Sequence, residues 1–227
     1  MPDNRIACSQ RGAVDLYLIR HAQSLNNAQP VELRVPDPAL TELGHEQARR
    51  VAQHVVGLEL TRLITSPFRR ALETTEHIRL ATGLVPEVRI PLHETGGCVS
   101  GIEPVSMIGC PGMTRSEILD DFPGYQIDAD IDGQGWWRGQ PYETPQQARE
   151  RAARLLGHTR AEFGHTDARV AFVTHGDFGL LFLSRFHPLP LVLFYNASVT
   201  HVRITPDATQ LVDYNTVPHL PEQMLSW

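Results

Sequence analysis

The sequence predicts an α/β chain, a three-layer α/β/α domain around a mostly parallel central sheet. Three observations carry this. Short apolar runs of strand length alternate with stretches of helical period. Three of those runs stop at residues suited to an anion: Arg20-His21, Ser66-Pro67 with Arg69-Arg70 behind, and His175-Gly176. In an open parallel sheet the carboxyl ends of the strands converge on one crevice where ligands bind. Finally, 227 residues, 41% of them hydrophobic, suit a single domain with a proper core, spanning 1–227.

The elements follow in order. Residues 1–12 carry no apolar stretch of the kind that marks a secretory leader. Val14 to Ile19 is the first strand. Thr41 caps a helix to about His54, with Leu43, Ala48, Val51, Ala52 and Val55 on one face and Gly57 as the stop. Arg62 to Thr65 is a second strand. Ser66 then Pro67 is an N-cap with proline at the first helical position, opening a helix to about Leu80. Residues 95–143 break the rhythm: rich in Gly, Pro and Asp, they predict an irregular insertion. Thr144-Pro145-Gln146-Gln147 is a capping box, and its helix turns Ala148, Ala152, Leu155, Leu156 and Phe163 inward before Gly164. Val170 to Thr174 is a third strand, and Asp177 to about Phe186 a short helix. Leu189 to Tyr195 reads as a buried strand, and Val199–Ile204 and Leu211–Tyr214 as late strands.

Composition narrows the function. The net charge is −6, with no basic stripe, which argues against nucleic acid as a partner. No apolar run approaches the ~20 residues of a membrane helix, so no membrane partner is expected. Cys8, Cys98 and Cys110 form no pattern, which predicts a reducing, cytoplasmic compartment without a structural disulfide. All 20 Lys-or-Arg residues are arginine, which excludes Schiff-base catalysis and a P-loop lysine. Arginine is the better fork for a phosphate. The eleven histidines include no His-x-x-x-His or His-Glu-x-x-His spacing, so no metal and no cofactor is expected. Oligomeric state is left open, a homo-oligomer included.

The chain resembles the histidine phosphatase superfamily, which includes cofactor-dependent phosphoglycerate mutases and many small phosphatases. The resemblance rests on Arg20-His21-Ala22-Gln23-Ser24 with Asn27, Leu40-Thr41-Glu42-Leu43-Gly44 with Gln47-Ala48, Thr65-Ser66-Pro67 with Arg70-Ala71 and Thr74, Leu92-His93-Glu94, Thr174-His175-Gly176, and Asn196-Ala197-Ser198-Val199-Thr200. It implies that His21 is the nucleophile and Glu94 the general acid. It implies too that Arg20, Asn27, Arg70, His175 and the Gly176 amide hold the phosphoryl group. Periodicity does not separate Arg69 from Arg70; the family motif, with its arginine directly before Ala71, does. Arg69 is expected to pair with Glu73. His93 is read as substrate-facing or structural.

Two positions depart from the family motif. Ala22 replaces glycine and is expected to add a methyl near the phosphate. Gln23 replaces glutamate and is expected to remove a charge from the pocket rim. Thr95-Gly96-Gly97-Cys98 stands where the mutases carry Arg-His-Tyr-Gly, which favours hydrolysis. The expected activity is metal-independent hydrolysis of a small-molecule phosphate ester through phosphohistidine. Mutase-type transfer is the alternative, and a metal hydrolase and a non-catalytic phosphate-binding module rank below it. Residues 95–143 carry eight acidic residues against two arginines. They are expected to cap the pocket with Trp136 or Trp137 over the leaving group, beside Ser24, and to disfavour substrates with a second negative group.

Overall fold

The computed structural model describes residues 12–102, 106–188 and 190–227. Cys8 lies outside them. In chain order the elements are β1 (Val14–Arg20), α1 (Leu25–Ala28), α2 (Glu42–Val56), β2 (Arg62–Thr65), α3 (Arg69–Thr82), β3 (Pro86–Val88), β4 (Val99–Ser100), β5 (Ile108–Gly109), α4 (Arg115–Asp121), β6 (Gln126–Ile127), α5 (Pro145–Phe163), β7 (Arg169–Thr174), α6 (Gly176–Leu183), β8 (Val199–Ile204) and β9 (Thr209–Thr216). Seven strands form one sheet in the order β6-β3-β2-β7-β1-β8-β9. The five from β6 to β1 run parallel, and β8 and β9 close the far edge as an antiparallel hairpin.

Strand periodicity sorts the core into two faces. Along β1, Val14, Leu16 and Leu18 face α5 and α6, meeting Ala152, Leu155, Phe178 and Phe182. Tyr17 and Ile19 face the other way, onto Ala48, Val51 and Val55 of α2 and Ile78 of α3. In β7, Val170 and Phe172 join the first face, and Ala171 and Val173 the second. That division makes the three layers. Thr41 caps α2 by accepting from Gly44 N, and Thr144 caps α5 by accepting from Gln147 N. Among the described residues no helix is long and apolar enough to cross a membrane.

Three expectations are corrected. The helix after Ser66 begins at Arg69, because the Ser66 hydroxyl is engaged elsewhere. Of the strand expected over Leu189 to Tyr195, Leu189 lies outside the described residues and 190–195 form no strand; Phe194 alone there is fully buried, while Val192 is exposed. Residues 95–143 are less irregular than predicted. They hold α4, whose Thr114–Glu117 capping box mirrors that of α5, and β6, which extends the main sheet beside β3. Phe122, Tyr125, Ile131, Trp136 and Trp137 build a third apolar cluster with Phe68 and Leu72 of the main domain.

Candidate active site

The site grows from the carboxyl ends of adjacent parallel strands. β1 ends at Arg20, and the ladder continues one step, His21 N donating to Thr174 O at 2.9 Å. His175 follows directly on β7. The two imidazoles therefore lie side by side, ring centres 5.1 Å apart. From β2 comes Ser66, whose Oγ lies 2.7 Å from His175 Nε2.

His21 is buried, and its hydrogen bonds fix its tautomer. Nδ1 lies 2.7 Å from Ala22 O. A carbonyl only accepts, so Nδ1 carries the proton and Nε2 keeps its lone pair. Arg70 Nε donates to that nitrogen at 3.1 Å. Burial, then the charges of Arg70 and Arg20, hold the His21 pKa well below its usual value. Burial does the same to His175, reinforced by Arg70. Both rings are thus neutral at physiological pH, and His21 presents an unprotonated nitrogen.

Two buried guanidiniums supply positive charge. Arg20 donates from Nη1 to Phe194 O, while its Nε is buried without a partner. Arg70 stacks over the Phe68 ring at 4.1 Å. Burial lowers both, Arg20 to about 10, so both stay charged at neutral pH. Desolvated cations without a carboxylate partner favour an incoming anion. Gly176 allows their close approach: a Cβ there would sit 3.3 Å from Arg20 Nε and 2.8 Å from Leu193 Cδ1.

Glu94 sits under the first turn of α6. Its Oε1 accepts from Thr95 N and Phe178 N, each at 2.8 Å, and its Oε2 from Asp177 N at 3.3 Å. Those donors favour the carboxylate, but burial and the neighbouring Asp177 outweigh them and raise its pKa. A carboxyl raised in this way can deliver a proton. Asn27 turns its Oδ1 to Ser24 N and Oγ, at 3.0 and 2.8 Å, and to Asn196 Nδ2 at 3.5 Å.

One cavity of ≈ 400 Å³ brings together Arg20, His21, Ser24, Asn27, Arg70, Glu94 and Gly176, with His175 buried behind them. Four expectations fail. Trp136 and Trp137 do not line this cavity; they are 2% and 6% exposed and pack against Phe68 and each other. They bound a different cavity of ≈ 700 Å³ that holds none of Arg20, His21, Arg70 or Glu94. Ala22 turns its methyl into the core beside α2 and α3, and Gln23 binds Thr41 Oγ1 at 2.7 Å instead of the rim. Among the described residues none of 95–143 lines this cavity. The wall they were expected to provide comes from Asn26, Arg34, Asp177, Leu193 and Trp227. Asp177 adjoins His175-Gly176 and was within reach of sequence reasoning. Arg34, Leu193 and Trp227 come from distant irregular segments and carry no local signal. Among the described residues no three His, Cys, Asp or Glu side chains converge as a metal-ligating group.

Comparison with known proteins places this geometry among relatives. The profile of the histidine phosphatase superfamily (branch 1) matches residues 16–217. The probable phosphoglycerate mutase GpmB of Photorhabdus laumondii is 35% identical over 118 residues, 50% of this chain and 54% of that protein. The chain thus spans about half the length of the curated relative it matches. A mycobacterial glucosyl-3-phosphoglycerate phosphatase, solved with inorganic phosphate, superposes with a TM-score of 0.59 at 25% identity, covering 91% of this chain and 99% of the other. Bacillus stearothermophilus YhfR superposes with a TM-score of 0.64 at 23% identity, covering 91% and 98%.

Proposed function

The chain belongs to the histidine phosphatase superfamily, and from that premise we propose that it hydrolyses a small-molecule phosphate monoester through phosphohistidine at His21. The observation that carries the reading is the unprotonated His21 Nε2: Nδ1–H is committed to Ala22 O, buried Arg70 donates to Nε2, and the charge of buried Arg20 further disfavours a proton on the ring. In the first step Arg70 Nε shifts its N–H from Nε2 to a phosphoryl oxygen, Nε2 attacks phosphorus and a P–N bond forms. The ester P–O bond breaks, and the departing oxygen takes the proton of Glu94. In the second step Glu94 accepts a proton from water as that water attacks phosphorus. The P–N bond breaks and inorganic phosphate leaves. Arg20 and Arg70 balance the charge on the non-bridging oxygens throughout. Neutral His175 donates a ring N–H to one of those oxygens. Those charges meet the need for cations without a metal, so exhaustive chelation leaves the rate unchanged on this reading.

Mutase-type transfer is the second reading, favoured by the name of the curated relative. Hydrolysis is preferred because Gly96 and Gly97 turn away from the cavity. A Cβ on Gly97 would meet the Trp137 ring at 2.2 Å, so that segment packs within the insertion and brings no cation to a second phosphoryl acceptor. The test is chemical. Turnover quenched in base is expected to leave an acid-labile, alkali-stable phosphoryl label that His21→Ala abolishes together with activity. An active His21→Ala enzyme overturns the proposal. Conversion of 3-phosphoglycerate to its 2-isomer faster than phosphate release would favour the mutase.

A further inference from the structure

Arg20, His21 and Arg70 are buried where they line the cavity, whereas Arg34 and Trp227 line it from exposed positions. The outer wall is made by Arg34, Leu193 and Trp227, three residues from segments without regular structure. The Trp227 ring stacks on Tyr195, centroids 3.8 Å apart and planes 28° from parallel, yet the residue remains 49% exposed. A half-exposed indole stacked on a tyrosine and lining the cavity offers a ligand a broad apolar surface.

The platform is registered to the nucleophile. Buried Asn196 donates from its backbone to Ser226 O at 2.9 Å and accepts from Ser226 Oγ at 3.0 Å. Its Nδ2 donates to His21 O at 3.2 Å. Buried Gln47 donates to Met224 O and Ser226 Oγ, at 2.7 and 3.0 Å, and accepts from Gln23 N at 2.8 Å. Two buried amides thus grip the Trp227 segment with one end and the His21–Gln23 backbone with the other. Sequence reasoning noted Gln47 and Asn196 only as matches to a family pattern; the structure gives them this joint task.

Arg34 differs from most arginines of this chain. Arg49, Arg62, Arg69, Arg79, Arg89 and Arg151 all bind carboxylates. Among the described residues the Arg34 side chain has no hydrogen bond or ion pair, although it lines the cavity. Across the wall the charged groups are Arg20, Arg34 and Arg70 against Asp177, with Glu94 raised toward its neutral form.

Resting on the phosphatase reading of the same site, we propose that Arg34 and Trp227 form a leaving-group subsite, selecting phosphomonoesters whose leaving group pairs a flat or apolar face with a second anionic group. The cavity, ≈ 400 Å³, has room for a phosphoryl group and a leaving group of about one ring. This reverses the preference expected from the acidic insertion, whose described residues lie outside the cavity.

Two readouts separate the subsite from the chemistry. The first is binding of two non-hydrolysable probes, benzylphosphonate and 4-carboxybenzylphosphonate, by calorimetry. Arg34→Gln is expected to weaken the carboxylated probe about tenfold and leave the other unchanged. Trp227→Ala is expected to weaken both about three- to tenfold, and Trp227→Phe to restore most of that loss. The second is steady-state turnover of phenyl phosphate, 4-carboxyphenyl phosphate and glycerol 3-phosphate, with the same substitutions raising KM for the matching substrates and changing kcat little. Equal binding of both probes by wild type and Arg34→Gln overturns the anionic half of the proposal. Unchanged binding in Trp227→Ala overturns the platform. Normal probe binding with no His21-dependent turnover instead counts against the phosphatase reading and leaves the subsite standing.

Discussion

Arg70 sends its Nε to the His21 ring, while Arg69, one position earlier on α3, reaches Asp121 at 2.9 Å and Glu73 at 3.9 Å. Their substitutions are expected to differ accordingly. On the proposed mechanism Arg70→Ala removes a charge that balances the transferring phosphoryl group and should lower kcat by about 10²–10³. Arg69→Ala breaks half-exposed ion pairs and should cost no more than about 1 kcal/mol of stability, with kcat nearly unchanged. Steady-state kinetics and thermal melts of the two variants decide this, and equal losses in kcat would contradict it. The difference between these neighbours was readable only through the family motif, since both positions suit a helix. Arg20 and His21 were readable locally, because a strand end and its charged residues are contiguous. Arg34 and Trp227 were not, because they reach the site across loops whose course no periodicity encodes.

The elements tell the same story at longer range. Thr41 and Thr144 announced their helices because a cap, a first turn and an apolar stripe agree. Ser66-Pro67 misled by two residues: its hydroxyl binds His175 and accepts from Phe68 N at 3.3 Å, so helix α3 opens only at Arg69. The α4 cap at Thr114 was equally visible, but seven residues give too few turns for a convincing stripe. Helix α5 carries a further constraint. Its Arg151 forms a two-pronged bond with Glu143 at 2.7 and 2.8 Å, donates to Pro91 O and His93 O, and lies 4.0 Å over the Phe178 ring. Burial alone would raise Glu143, but the bonds from Arg151 and His93 outweigh it and hold its pKa at about 2. Arg151→Met strands a buried carboxylate and two carbonyls, so a loss of about 3–5 kcal/mol is expected. Tm should fall by roughly 10 °C. A melt within 2–3 °C of wild type, by the same rough scale, would mean that the pair is solvated.

For the whole molecule, buried histidines set the response to acid. His21, His93 and His175 are all lowered by burial, and half-buried His219 is brought down to about 4. In the unfolded chain each takes up a proton near its ordinary value of 6.5; in the folded protein each resists. Their contribution to stability is therefore complete above about pH 6.5 and declines as the pH falls below it. Glu143 works in the same direction further down, between 4.5 and about 2. The carboxyl of Asp37, raised by burial to about 6, and that of Glu94, also raised, oppose the histidines between pH 7 and pH 5. Tm should therefore drop over that interval by less than the histidines alone would give. Asp37→Asn should keep the drop and enlarge it, and a smaller drop in that variant would contradict the assigned sign. The strand order has a consequence in time. β7 lies between β2 and β1, with Arg20 opposite Thr174, so the two active-site histidines become neighbours only when a late segment inserts between two early ones. Contacts so distant in sequence form slowly, whereas the α2–α3 pair is local. After dilution from urea, helical circular dichroism should recover first and phosphate release later, in the slow phase that docks β7. Activity returning with the earliest helical signal would mean that the catalytic pair assembles without its central strand.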